Sequence, residues 1–372
     1  MIVGVLREIK SDEYRVSLLP TGAGILTRNG HKVIMEKDAG LGSGFPNEQY
    51  KKYGAVIADS AKEIYENAEL ILKVKEPLEQ EYPYIKEDHI IFTFFHFAAN
   101  KELTIKMAES RASCIAYETV QRDDMSLPIL IPMSEIAGKM AIQAGAAFLE
   151  KVYGGRGILL SGVSGVEPAE VLIIGGGVVG TNAAFAASGL GARVTIIDNN
   201  LDHLRYLNSI MPNNVRTLMS TSYNIRDFLK TADLTVGAVL VPGAKTPKLI
   251  TEPMLKSMRS GSVIVDVSID QGGCIETSRP TTHHDPIFIK NDIVHYCVTN
   301  MPGAVPFTST IALNNATFPY TLELCQMGFE KCVKANQAIR RGINIYKGEI
   351  TNKEVADAFA LEYVPLDKLM KN

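Results

Sequence analysis

The sequence predicts an α/β protein of two doubly wound parallel-sheet domains joined by long helices. Three observations carry that expectation. Short apolar or β-branched runs alternate with helical stretches over the first third of the chain. A second set of such runs fills the middle. A glycine-rich turn sits between the first run of that second set and a helical stretch. Repeated βα alternation favours parallel sheets covered on both faces.

The elements follow in order. Ile2–Leu6 reads as a strand. Pro20 opens a helical stretch that stops near Asn29-Gly30, as an N-terminal proline and a C-terminal glycine would have it. His31–Glu36, Ala55–Ala58, Leu70–Val74, Ile90–Phe95 and Cys114–Tyr117 are further short strand-like runs, with helical stretches such as Lys101–Ser110 between most of them. Pro128 and Pro132 bracket an apolar connector, and Met133–Val152 then reads as a long helix. The residue pattern puts the domain boundary near 128–133. Tyr153–Pro168 is a glycine-rich loop. The second set of strands is Val171–Ile174, Arg193–Ile197, Val215–Met219, Leu234–Val239, Ser262–Val267 and Ile293–Val298. Past Gly303 the pattern turns helical, with a long amphipathic stretch over Tyr320–Tyr346 and a short one over Asn352–Ala360.

Composition narrows the function classes. A chain of 372 residues suggests two domains, at roughly 100–200 residues each. A net charge of −3 and no Lys/Arg run give no reason to expect nucleic acid or an anionic membrane as partner. The five cysteines are scattered, with no CxxC, and read as reduced cytoplasmic thiols. Only Cys274 lies near a candidate site residue. The N-terminus meets charge at Arg7 and Glu8, unlike a signal peptide. Val171–Ala192 lacks charge over a length that mimics a membrane span, but six of its residues are glycine. A strand, a turn and a helix explain it better, so no membrane partner is expected.

The sharpest local signal is VLIIGGGVVG, which holds Gly175-x-Gly177-x-x-Gly180 between a strand and a helix. Gly175 permits the tight turn, Gly177 lets backbone approach a pyrophosphate, and Gly180 allows close helix packing. The helix start offers N–H groups and a positive dipole end to the phosphates. The next strand ends at Asp198, 23 residues after Gly175. That carboxylate can accept both ribose hydroxyls and repels a 2′-phosphate, which favours NAD over NADP. The second domain is therefore expected to be a Rossmann NAD-binding domain. Ligands of open α/β sheets bind beyond the carboxyl ends of the strands. Those ends supply Ser220, Val239-Leu240, Val267-Ser268-Ile269-Asp270 and Val298-Thr299-Asn300-Met301 as candidate cofactor walls. The apolar ones are equally readable as core. Asp270 is a carboxylate just past an apolar strand and stands out as a functional candidate.

The strand-end rule applied to the first domain selects Lys75 and His96, and Arg15 lies in the loop after the first strand. Together they suit a small 2-oxo or 2-amino acid. Arginine offers a planar fork for a carboxylate, lysine a second positive charge, and histidine a proton near neutral pH. Each also has a plain reading. Lys75 could be one of several surface lysines like Lys73, His96 a satisfied buried histidine, and Arg15 one of the exposed charges of SDEYR.

GVLREIKSDEYRVSLLP, LILKVKEP, FTFFHFAAN, IPMSEIAGKMAIQAGAAFLEK, VDVSIDQGGCIETSRPTTH and TNMPGAVPFTST together resemble the L-alanine dehydrogenase family, and the resemblance covers essentially the whole chain. It implies reversible, NAD-dependent oxidative deamination of L-alanine to pyruvate and ammonium. It further implies substrate roles for Arg15 and Lys75, catalytic roles for His96 and Asp270, and NAD contacts at Ser134, Asp198, Ser220, Val239, Leu240, Arg279 and Val298–Met301. Val178 and Val179 would add backbone contacts in the pyrophosphate turn. The family pattern makes the first domain discontinuous, residues 1–128 with 307–372 around an NAD-binding domain of 129–306, and implies a cytoplasmic homo-hexamer. Some relatives carry a Glu and a His one helical turn apart, associated with a divalent metal. Here Glu323 is followed four residues later by Met327, so no metal is expected there.

Three alternatives stand beside this one. The NAD(H)-binding subunit of a proton-translocating transhydrogenase is similar over much of its length but does not deaminate. A lysine-forming saccharopine dehydrogenase would need a wider, more cationic site. A catalytically dead NAD-binding protein is hard to square with Arg15, Lys75, His96 and Asp270 all being present.

Overall fold

The computed structural model describes residues 1–239 and 246–370. They form two compact units. One comprises Met1–Met133 with the described residues from Gly303 onward, and the other Ser134–Pro302. The boundary falls inside the helix Leu130–Phe148. Pro132 fits that helix because it lies in the first turn, where its missing N–H has no partner to lose.

The first unit holds the strands β1 (Ile2–Val5), β2 (Lys32–Glu36), β3 (Val56–Ala58), β4 (Leu70–Lys75), β5 (Ile90–Phe94) and β6 (Ser113–Ala116). The second holds β7 (Glu170–Ile174), β8 (Arg193–Asp198), β9 (Val215–Met219), β10 (Leu234–Gly237), β11 (Val263–Asp266), β12 (Ile287–Lys290) and β13 (Ile293–Tyr296). Two more strands, β14 (Ile343–Tyr346) and β15 (Glu349–Ile350), return to the first unit. The sheet orders are β15-β14-β6-β5-β4-β1-β2-β3 and β12-β13-β11-β10-β7-β8-β9. The six parallel strands of each unit thus share one order. In each, the chain reverses its direction of travel across the sheet between the first and fourth strands, β1 and β4 or β7 and β10. That switch point is where open α/β sheets bind ligands.

Both sheets are buried on two faces, which explains their nearly continuous apolar strands. In β7, Val171 and Ile173 face one core with Ala183, Ala184 and Ala187 of the helix Val178–Gly189. Leu172 and Ile174 face the other, with Ile225, Leu229 and Leu255. The sheet edges depart from the expected parallel pattern. β12 joins β13 antiparallel, and β14 joins β6 antiparallel with Ile343 opposite Ile115.

The largest correction concerns Tyr320–Tyr346, expected as one helical stretch. Its helix begins at Pro306, runs through Pro319 and ends at Met327. Gly328, at φ 74°, breaks it. Asn336 then caps another short helix through its side chain, and Ile343–Tyr346 is strand. The β-rich INIY completes a sheet edge in an environment that amphipathic periodicity could not reveal.

Candidate active site

In the first unit, Arg15 lies in the loop after β1 and Lys75 ends β4, so the two flank the switch point. His96 follows β5, one strand further along. Arg15 is buried, against its plain reading as an exposed charge. Glu13, also buried, grips it twice, with Nε to Oε1 at 2.7 Å and Nη2 to Oε2 at 2.5 Å. Nη1 points at Met133 Sδ, 3.1 Å away. The loop is tied down by Val16 N–H donating to Thr310 Oγ1 at 3.1 Å, and by Ser43 Oγ donating to the Tyr14 carbonyl at 2.7 Å.

Lys75 Nζ lies 6.0 Å from the centre of the Phe94 ring. Burial and then the Arg15 charge pull its pKa below the usual lysine value, against Glu13 and Glu76. Phe94 stacks in turn on the His96 ring, with centroids 5.7 Å apart and planes within 4°. Desolvation, then the charges of Lys75, Lys10 and Arg15, push the His96 pKa down to about 3. His96 keeps an exposed edge, which tempers the desolvation. The direction still stands on three nearby cations: the imidazole is neutral at pH 7.

His96 adopts a left-handed backbone, φ 51° and ψ 41°. For a non-glycine residue that costs about 1 kcal/mol or more. Glu118 compensates. Its Oε1 accepts the His96 N–H at 2.6 Å and its Oε2 the Phe95 N–H at 3.3 Å. Burial raises the Glu118 pKa to about 7, against those bonds and Lys75.

The sequence reading missed Glu13 and Glu118, and it missed a buried network beside them. Lys73, taken for a surface lysine, is fully buried. Its Nζ lies 3.0 Å from Glu81 Oε1 and 3.4 Å from Glu8 Oε2. The signal was available. A lysine inside the apolar run LILKVK must be paired if the strand is central.

The second unit builds its edge differently. Gly175 has φ 98°, and a Cβ there would meet the Ala238 carbonyl oxygen at 2.4 Å. A Cβ on Gly180 would lie 1.8 Å from the Gly175 carbonyl oxygen. Only glycine permits this approach of helix to strand. Gly177 faces open space, as a turn that receives a pyrophosphate requires. It caps the helix Val178–Gly189, where Val178 is exposed and Val179 half-buried. Asp198 ends β8, accepting the Gly176 N–H at 2.7 Å and the Asn200 N–H at 2.8 Å. Its carboxylate is thereby fixed beside the turn. The residues present fit a dinucleotide.

Other candidates belong to the same unit. The half-buried Ser220 donates its N–H to the Asp198 carbonyl at 2.8 Å. Val239 N–H donates to Ser268 Oγ at 3.0 Å. Leu240 lies outside the described residues. Val267, Ser268, Ile269 and Asp270 form a short 3-10 turn after β11, with Ser268 and Ile269 buried and Asp270 exposed. Asp266, unnoticed in the sequence, anchors this turn by accepting the N–H groups of Ser268, Cys274 and Ile275 at 3.1, 3.4 and 3.3 Å. Cys274 is buried, its Sγ 3.7 Å from Asp266. Arg279 stacks on Phe288 at 4.4 Å. Val298 and Met301 are buried, Thr299 and Asn300 half-buried. Ser134 is half-buried at the first residue of the unit. Thus Arg15, Lys75 and His96 meet at one sheet edge, and Asp270 belongs to the other unit. In the C-terminal region, Glu323 accepts Asn336 Nδ2 at 2.7 Å.

Two family models match the chain, described as alanine dehydrogenase/PNT N-terminal domain over residues 4–137 and C-terminal domain over 141–353. An alanine dehydrogenase of Methanococcus maripaludis is 53% identical, over all of both chains. A solved L-alanine dehydrogenase superposes with TM-score 0.94 at 46% identity, covering 97% of this chain and 99% of its own. A transhydrogenase from Sinorhizobium meliloti shares the fold, with TM-score 0.83 at 21% identity, over 94% of this chain and 100% of its own.

Proposed function

This chain belongs to the alanine dehydrogenase/PNT family and is an oxidoreductase of alanine, and we propose that it runs the reversible oxidative deamination of L-alanine to pyruvate and ammonium with NAD. The observation that carries the residue roles is the convergence of Arg15, Lys75 and a neutral His96 at one sheet edge. The transhydrogenase reading has weaker support. Its solved representative is only 21% identical, against 53% for the archaeal alanine dehydrogenase.

In this reading Arg15 binds the substrate carboxylate. Glu13 fixes the guanidinium through Nε and Nη2. Lys75 adds a second positive charge and polarises the C2 substituent; its lowered pKa makes it a readier hydrogen-bond partner for a carbonyl oxygen. NAD, when bound, supplies the acceptor for the C2 hydride. Removal of that hydride from alanine in its free-amine form leaves an iminium ion, to which water adds, and ammonia leaves the resulting carbinolamine. The neutral His96 takes a proton from the attacking water and returns one to the departing nitrogen. Asp270 orients that water and stabilises positive charge developing on nitrogen. Gly175, Gly177 and Gly180 shape the pyrophosphate turn, with Val178 and Val179 lending backbone N–H groups at the helix start. Asp198 takes the ribose hydroxyls and repels a 2′-phosphate. Ser134, Ser220, Val239, Leu240, Val267–Asp270, Arg279 and Val298–Met301 wall the cofactor.

The same reading includes a cytoplasmic homo-hexamer, which sedimentation velocity checks directly. Among the described residues no helix is long and apolar enough to cross a membrane. The function is tested by following NADH formation from L-alanine with NAD and then NADP, and NADH consumption with pyruvate and ammonium. Turnover with alanine and a marked preference for NAD are expected. Tight NADH binding without turnover of alanine or pyruvate would contradict the proposal.

A further inference from the structure

β1 ends at Val5, and the next main-chain link from its side to β4 is a long one, Leu6 N–H to the Leu72 carbonyl at 3.4 Å. On the other side, the register of β4 against β5 shifts between Leu72 and Lys75. The sheet is therefore irregular where β4 delivers Lys75 to the site. A carboxylate fills the gap. Glu8, in the loop after β1, accepts the Val74 N–H through Oε1 at 2.6 Å. Its other oxygen faces the buried Lys73. Lys73 also meets Glu81, which accepts the Leu78 N–H at 2.9 Å and the Tyr65 hydroxyl at 3.1 Å.

We infer that Glu8 is a positioning residue for Lys75, its carboxylate extending the sheet past the end of β1 and fixing the backbone from which Lys75 projects. The inference rests on the reading of Lys75 as a substrate group. What matters is reach rather than charge. Desolvation already raises the Glu8 pKa to about 7 against the pull of Lys73, with Glu13 and Glu81 adding to the rise. Lys73 meanwhile retains Glu81 as its nearer partner.

Two variants separate reach from charge. Glu8→Asp keeps the charge but is one methylene too short to hold Val74. Glu8→Gln keeps the length and a carbonyl oxygen for the Val74 N–H. Steady-state kinetics with pyruvate, ammonium and NADH at pH 8, beside Lys75→Met, give the readout. Glu8→Asp is expected to raise the pyruvate KM roughly tenfold with kcat within about threefold, the effect of losing one charge-assisted bond's worth of positioning. Glu8→Gln is expected to stay within about threefold of the parent KM, since the bond survives. A parent-like KM in Glu8→Asp, with Lys75→Met impaired, overturns the inference alone. Equal damage in both Glu8 variants also overturns it, because charge balance would then be the role. A parent-like KM in Lys75→Met overturns the substrate reading of Lys75 and the inference with it. Thermal melting followed by far-UV circular dichroism, which reads both units, identifies any variant whose fold has failed.

Discussion

The two units repeat one strand order and use the same place in it, the switch point between first and fourth strands, yet they equip it with opposite chemistry. In the second unit the site is backbone. Gly175 and Gly180 lack side chains, so a helix start packs close against the strand beside one fixed carboxylate, Asp198. In the first unit the candidate site is built of side chains, the cations of Arg15 and Lys75 beside the neutral imidazole of His96. Arg15, Lys75 and His96 are each set by a carboxylate, through Glu13, Glu8 and Glu118 respectively. A dinucleotide is long and carries the same groups to every enzyme, so a backbone cradle suffices for it. A three-carbon acid offers few handles, and only fixed charges can orient it.

Breaking the charged site is expected to have the largest effect. Arg15→Ala deprives the buried Glu13 of its guanidinium partner, so stability should fall by about 3–5 kcal/mol. Differential scanning calorimetry measures it, and the pyruvate KM should rise beyond measurable range. NADH affinity of the folded fraction should remain, which a fluorescence titration would show. The mirror experiment is Gly180→Ala. Its Cβ would collide with the Gly175 carbonyl oxygen, so the helix must shift, at roughly 1–3 kcal/mol of overpacking. NADH affinity should fall by a roughly corresponding ten- to hundredfold, with the folding of the first unit unaffected.

A milder change sharpens the contrast. Asp198→Ala removes the ribose acceptor and the negative charge, and should raise the NAD KM by roughly tenfold while lowering the NADP KM. The pyruvate KM should stay put. The smallest effect is a titration. His96 has its folded pKa below its unfolded one, so it adds stability at and above neutral pH that is lost as pH falls from about 6.5 toward 3. Its imidazole NMR signals should show a neutral ring at about pH 6 and above. Glu118 runs the other way. Its raised pKa means that stability falls as pH rises from about 4.5 to about 7. A His96 signal titrating at its ordinary value would remove the cationic surroundings from the account.

The same contrast explains what the sequence disclosed. Gly175-x-Gly177-x-x-Gly180 and Asp198 are contiguous with the strands that place them, so spacing alone pointed to that candidate site. The strand-end rule found Lys75 and His96 for the same reason. Their partners were not legible. Glu118 lies 22 residues beyond His96 and meets it only because β5 and β6 pair. Glu8 reaches Val74 across the β1–β4 pairing, 66 residues away. Glu13 is two residues from Arg15, but a salt bridge at that spacing reads as surface charge until burial is known. β14 was lost because its four residues follow helices with no turn signal strong enough to mark the change.

The central claim is that the charged edge does the chemistry while the glycine edge holds the cofactor. His96→Ala tests it most directly, through NADH formation from L-alanine and NAD together with NADH affinity in the same preparation. The expected result is parent-like NADH binding with kcat reduced by roughly two to four orders of magnitude, the usual contribution of a positioned acid–base group. Turnover near the parent rate, or a loss of NADH binding matching the loss of turnover, would contradict it.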